Sequence, residues 1–249
     1  MATRADFRRI GLLMPSSNTT QEPEFIRMMP PGVTLHVARL PLRNVEPNAT
    51  IRIVEDIESE ARKLADADVD AIVLAATAPS SRMGIGYDRE LIGRIESASG
   101  KPATTASTAS IQALATLGAR RLTIAAPWSN EVNAIAAAFI EASAYQVLAH
   151  KALGYVDNLE IGLLDEQTAL DLGQEVDRPD ADVLMLACGN WRTLGIVDRL
   201  EAAIGKPVLT TNQVSLWSVL RLAGHTAPVP GCGVLMRDFM NAPLIEKAA

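Results

Sequence analysis

The chain has only two cysteines and three histidines among its 249 residues. Cys188 and Cys232 lie far apart in unlike settings, which excludes a disulfide framework and the paired spacing of a zinc motif. His36, His150 and His225 show no ligand spacing among themselves, so no metal site is expected. Positive charge is scarce too: 23 Lys and Arg against 29 Asp and Glu give a formal net charge of -6. A chain with so little basic surface is not expected to hold nucleic acid. No apolar run approaches the roughly 20 residues that cross a bilayer, so no membrane span is expected. The start, "MATRADFRRIGLLMPSSN", has an apolar run shorter than the about 7 to 15 residues of a secretory core and reads as a first strand. "GIGYD" from Gly84 does not follow a strand directly and lacks a third glycine, so it reads as a turn and not a nucleotide loop. A cytoplasmic protein with free thiols and no cofactor is the simplest reading.

What the sequence does have is a repeat. Strand-length apolar strings alternate with longer amphipathic stretches, the pattern of βα units around a parallel sheet. "RRIGLLMP", "VTLHVARLPL" and "VDAIVLAAT" read as strands and "TIRIVEDIESEARKLADA" as one helix. "RRLTIAAPW", "QVLAHKALGY" and "ADVLMLACG" then repeat the order. Arg9 and Arg121, Pro15 and Pro127, Asp70 and Asp182, and Ala76 and Cys188 all stand 112 apart (121 − 9, 127 − 15, 182 − 70, 188 − 76), while Gly100 and Gly205 stand 105 apart (205 − 100). The expected fold is therefore α/β: two similar Rossmann-like parallel-sheet halves related by a pseudo-two-fold axis, with the active site in the cleft between them. Residues 1–106 with 217–249 are assigned to the first half and 107–216 to the second. Open α/β sheets bind ligands at the carboxyl ends of their strands, so the loops at Pro15 to Asn18, Ala76 to Ser81, Pro127 to Ser129 and Cys188 to Asn190 should converge.

Cys188 falls at a strand-to-loop turn, where a helix N-terminus and backbone N–H groups can lower a thiol's pKa, and a chemical role is favoured over packing. Cys232, between two glycines, reads as structural. "MPSSNTTQEPEF" offers hydroxyl and amide groups that can bind a carboxylate without a fixed cation. Asn18 is expected to contact the ligand, although it or Thr20 could cap a helix, and the two roles are compatible. Thr77, Ser80 and Ser81 read equally as caps or as binding groups.

Together "RRIGLLMPSSNTTQE", the Ala76 loop, "AAPWSNEVN", "YVDNLEIG", "ADVLMLACGN" and "VPGCGVL" resemble the aspartate/glutamate racemase superfamily, in its maleate isomerase and arylmalonate decarboxylase branch. The resemblance implies chemistry without a cofactor. It implies Cys188 as the second of two family cysteines, with Ala76 at the position of the first. It also implies a substrate-binding set of Ser17, Asn18, Ala76, Thr77, Trp128, Asn158 and Gly189, acting on a small mono- or dicarboxylate; a homo-oligomer is compatible with it. Trp128 departs from the tyrosine usual in the branch, and an indole N–H can donate but not accept a hydrogen bond. Ala76 can be neither acid nor base, which leaves two-base racemisation without one of its partners. Enediolate formation followed by one-sided protonation from Cys188 survives this loss most naturally. The isomerase reading, placed first, takes the alanine as replacing a cysteine of the natural enzyme. The decarboxylase reading takes it as native, and a carboxylate binder without turnover is the third.

Overall fold

The computed structural model describes residues 7–45 and 50–243. The first half runs β1 (Arg8–Pro15), α1 (Gln21–Met28), β2 (Val33–Leu40), α2 (Thr50–Glu55), α3 (Ile57–Asp66), β3 (Ala71–Leu74), α4 (Ala78–Met83), α5 (Tyr87–Ser99), β4 (Ala103–Thr105) and α6 (Ala106–Thr116). The second runs β5 (Arg121–Trp128), α7 (Asn130–Ala142), β6 (Gln146–Tyr155), α8 (Asn158–Leu163), α9 (Glu166–Val176), β7 (Val183–Leu186), α10 (Val197–Ile204), β8 (Val208–Thr210), α11 (Thr211–Leu222) and α12 (Gly233–Asp238).

Each half carries a four-stranded parallel sheet, in the order β2-β1-β3-β4 and again β6-β5-β7-β8. The pairing reproduces the sequence offsets. Ile10 pairs with Ala71 as Leu122 pairs with Val183, an offset of 112 on both strands (122 − 10, 183 − 71). Ile72 pairs with Ala103 as Leu184 pairs with Val208, and there the outer strand has drifted to 105 (208 − 103). The repeated aspartates have the same task in each half. Asp70 Oδ2 accepts the Arg9 backbone N–H at 2.8 Å, and Asp182 Oδ2 accepts that of Arg121 at 2.9 Å, so each ties the start of a central strand to its neighbour.

The central strands are buried on both faces, as parallel sheets covered by helices must be. Along β1 the side chains alternate: Ile10, Leu12 and Met14 join the larger core that runs through both sheets and α11. Leu13 points the other way, to Ile57, Leu64, Leu91 and Ile95 beneath α3 and α5. Each such side chain contributes about 1.5 to 3 kcal/mol by leaving water. Helix α6 follows the first sheet and α11 the second, yet the two pack together, and α11 lies against β3 and β4 of the first sheet. α11 is buried from Thr211 through Leu220, so it works as a shared central helix. Thr105 and Thr210 start these two helices alike, each hydroxyl accepting a backbone N–H three residues on, at 3.1 and 3.2 Å.

Two local expectations are corrected. The stretch read as one helix from Thr50 breaks at Asp56, whose φ of -100° and ψ of 7° leave the helical region, and continues as α3. The "ATAPSSR" loop is mostly the short helix α4, admitted by Pro79 in its first turn. The glycine turn is as expected, with Gly84 and Gly86 at φ of 89° and 92°, where a side chain would be strained. Among the described residues no helix is long and apolar enough to cross a membrane.

Candidate active site

The carboxyl ends of both sheets open on one cavity. Asn18, Ala76, Thr77, Trp128, Asn158, Cys188 and Gly189 all line it, together with Pro15, Thr211 and the apolar side chains of Leu42, Val45 and Ile53. Among the described residues none that lines it is charged. Ala76 and Cys188 hold the same place in their halves, each two residues beyond its strand. The preceding residues make the same bond: Ala75 N–H to Leu13 O at 2.9 Å and Ala187 N–H to Ala125 O at 2.8 Å.

Asn18 lines the cavity and also shapes the turn into α1. Its Oδ1 accepts the backbone N–H groups of Thr20 and Gln21 at 2.9 and 2.8 Å, forming the turn that leads into α1. That fixes the amide's orientation and leaves Nδ2 as the donor it can offer to the cavity. Arg39 steadies this turn from outside through the carbonyls of Ser16 and Asn18. Ser17 is absent from the lining and stands behind Asn158, whose Nδ2 donates to Ser17 Oγ at 2.8 Å. Thr77 occupies the capping position of α4 without making a side-chain cap bond, so its hydroxyl is free for the cavity. Ser81 donates to the Ala78 carbonyl, and Ser80 is fully buried.

Gly189 is needed for its missing side chain. A Cβ there would stand 2.2 Å from Gln21 Nε2, which passes this glycine to donate to the Ala75 carbonyl at 2.6 Å. Gln21 therefore bridges the two strand-end loops. It belongs to a clamp that sequence reasoning missed. Asn190 Oδ1 accepts Thr19 and Thr20 backbone N–H at 2.8 and 3.1 Å, and Asn190 Nδ2 donates to the Asn158 carbonyl. Glu24, buried in α1, accepts the backbone N–H groups of Thr193 and Leu194 and the Asn212 amide. Burial pushes the Glu24 carboxyl above its ordinary value, outweighing the downward pull of those three hydrogen bonds. The first half thus grips the loop that follows Cys188 by hydrogen bonds to Glu24 and from the Thr19 and Thr20 backbone.

The thiol itself departs from expectation. Burial pushes Cys188 up to about 12, against the downward pull of the Asn190 and Trp191 backbone N–H groups. The turn position supplies the anticipated amides, but desolvation of a thiolate outweighs them, so at neutral pH the group is a thiol. Its backbone is strained as well, with φ at 128°, a region that costs a non-glycine residue on the order of 1 to 3 kcal/mol. Its N–H donates to Thr211 Oγ1 at 3.0 Å, which helps to hold that conformation. Cys232 is buried at the start of α12 and pushed up to about 11, first by burial. Iodoacetamide near neutral pH should therefore leave both thiols of the folded chain unlabelled while it labels the unfolded chain fully. Rapid labelling of the Cys188 peptide, read by mass spectrometry, would contradict this account of the thiol.

Trp128 lines the cavity, but its single donor is already used. The indole Nε1–H donates to Asn133 Oδ1 at 3.3 Å, and Asn133 Nδ2 pairs with His150 Nδ1 at 3.2 Å. The ring presents apolar surface where a hydrogen bond to substrate was conceivable.

Comparison with known proteins agrees with this geometry. The chain is 29% identical to a maleate isomerase of Pseudomonas putida, over 92% of this chain and 96% of that one. It is 28% identical to the arylmalonate decarboxylase of Bordetella bronchiseptica, over 92% and 96%. A Cys→Ser mutant of the Nocardia farcinica maleate cis-trans isomerase, solved with a covalently bound succinylcysteine intermediate, superposes with a TM-score of 0.88 at 25% identity, covering 93% of this chain and 98% of that one. The arylmalonate decarboxylase family model matches residues 10–236, and the chain belongs to that family.

Proposed function

We propose that this protein is a cofactor-independent isomerase of a small dicarboxylate, of the maleate cis-trans isomerase kind, with Cys188 as its reacting thiol. The observation that carries the reading is the cavity itself, which gathers one thiol, the Asn18 amide and the Thr77 hydroxyl at the ends of both sheets. Asn18 Nδ2 and Thr77 hold a carboxylate by hydrogen bonds, and the N-termini of α1 and α11 nearby favour its charge. In the isomerase reading the sulfur adds to one alkene carbon and its proton goes to the other, giving a succinyl thioether. The carbon–carbon bond, now single, rotates. Loss of the same sulfur and proton then releases the trans diacid. In the Nocardia farcinica maleate cis-trans isomerase a cysteine other than the one replaced by serine carries a covalently bound succinyl group, so a succinyl thioether forms on a cysteine of that relative.

A second reading, a decarboxylase-like lyase, is favoured by two specific observations: the alanine at position 76 and the protonated state of Cys188. There the bond from carbon to a leaving carboxylate breaks, the electron pair stays as an enediolate, and the Cys188 proton moves to that carbon. Water restores the thiol. A buried thiol is ready for this step without first losing its proton. Proton NMR of maleate and of methylmalonate, each incubated with the protein, separates the readings. Conversion of maleate to fumarate supports the first, and propionate from methylmalonate supports the second. Tight binding of both with turnover of neither would leave a binder and sink both enzymatic readings.

A further inference from the structure

The helices that follow the fourth strand of each sheet, α6 and α11, start in the same way but on different residues. The capping hydroxyls of Thr105 and Thr210 accept the N–H three residues on, and the first helical residues are Ala106 and Thr211, 105 apart (211 − 106). A helix of this kind therefore starts without a hydroxyl at that position. The half with alanine at position 76 has alanine at 106 as well, and the half with Cys188 has the hydroxyl of Thr211. Thr211 is buried and lines the cavity with Cys188. Its Oγ1 accepts the Cys188 backbone N–H at 3.0 Å, which places it next to the residue that bears the thiol. That bond uses one lone pair of the oxygen and leaves its proton. Among the described residues nothing accepts this proton.

A diacid has two carboxylates to place, and with no charged side chain among the described lining residues each must be held by neutral donors. Asn18 Nδ2 and the Thr77 hydroxyl come from the first half and serve one of them. Resting on the dicarboxylate reading above, we propose that the Thr211 hydroxyl binds the second carboxylate of the substrate, on the Cys188 side of the cavity. The carboxylate accepts the Thr211 O–H while the Cys188 N–H stays on the same oxygen. The diacid then spans the two halves, and the carbon that bears the second carboxylate lies beside the sulfur. Thr211 is in this way the group that distinguishes an acid with two carboxylates from one with a single carboxylate.

Succinate and butanoate have chains of equal length and no double bond for a thiol to add to, so calorimetric titration with them reads binding alone. Thr211→Val keeps the shape of the side chain and removes the hydroxyl. It should lower succinate affinity at least about tenfold more than butanoate affinity, the scale of a hydrogen bond to a charged group. Thr211→Ser returns the hydroxyl and should recover most of the succinate affinity. A residue that only held the Cys188 backbone would affect both ligands alike, so equal losses in Thr211→Val would overturn the assignment. Succinate bound as weakly by Thr211→Ser as by Thr211→Val would overturn it too. If Thr211→Val does not fold, a crystal structure of the unchanged protein with succinate decides. One carboxylate is expected at about 2.5 to 3.0 Å from Thr211 Oγ1, and succinate with both carboxylates on other groups would overturn the assignment while leaving the dicarboxylate reading in place. Succinate that fails to bind the unchanged protein would overturn that reading, and this inference with it.

Discussion

Cys188→Ser should retain the fold and lose turnover by at least about 100-fold, the scale of a positioned proton donor or nucleophile. The serine hydroxyl is close in size to the thiol, so the buried loop after β7 has little reason to rearrange. The Cys188 N–H to Thr211 bond and the grip of Asn190 and Glu24 on that loop involve no thiol atom. A hydroxyl in the same place neither adds to an alkene as readily nor gives up its proton as easily. Steady-state rates on whichever substrate the NMR assay identifies, with a thermal melt as the control for folding, check the expectation. Full activity in a folded Cys188→Ser protein would remove Cys188 from the chemistry.

Restoring a thiol to the first half should change the stereochemical outcome. Ala76 and Cys188 line one cavity and follow their strands by the same two residues, so Ala76→Cys puts a second sulfur into the cleft from the opposite half. Two thiols allow removal of a proton at one face and its return at the other, or addition by one and protonation by its partner. Isomerase or racemase activity should rise by about 10- to 100-fold, at or below the usual contribution of one positioned acid or base. In deuterated water the parent should give product labelled on a single face, and Ala76→Cys product labelled on both. Identical rates and identical label stereochemistry in the two proteins would contradict the facing arrangement.

The architecture was legible because the chain states it twice. The 112-residue offset reappears in the strand pairing of Ile10 with Ala71 and Leu122 with Val183, and the drift to 105 reappears at β4 and β8. The convergence of Asn18, Ala76, Thr77, Trp128, Cys188 and Gly189 followed from one rule about strand ends, whereas Asn158 was named only through the family resemblance. What stayed hidden depends on contacts between distant residues. Glu24 reads as one acid in "EPEF", and nothing local says that it accepts backbone N–H groups at Thr193 and Leu194. The protonation of Cys188 depends on how completely the fold excludes water, which a strand-end position does not reveal. The indole of Trp128 is committed to Asn133, a neighbour five residues on that only the start of α7 brings into reach.

The most direct test of the central claim, that one cavity and its single thiol form the reactive site for a small diacid, is a crystal structure of the Cys188→Ser protein with malonate. The account predicts one carboxylate within hydrogen-bond distance of Asn18 Nδ2 and the Thr77 hydroxyl, with the central carbon facing the residue-188 oxygen at about 3 to 3.5 Å, a near-attack separation. Malonate bound outside this cavity, or inside it with the central carbon turned away from residue 188, would contradict it.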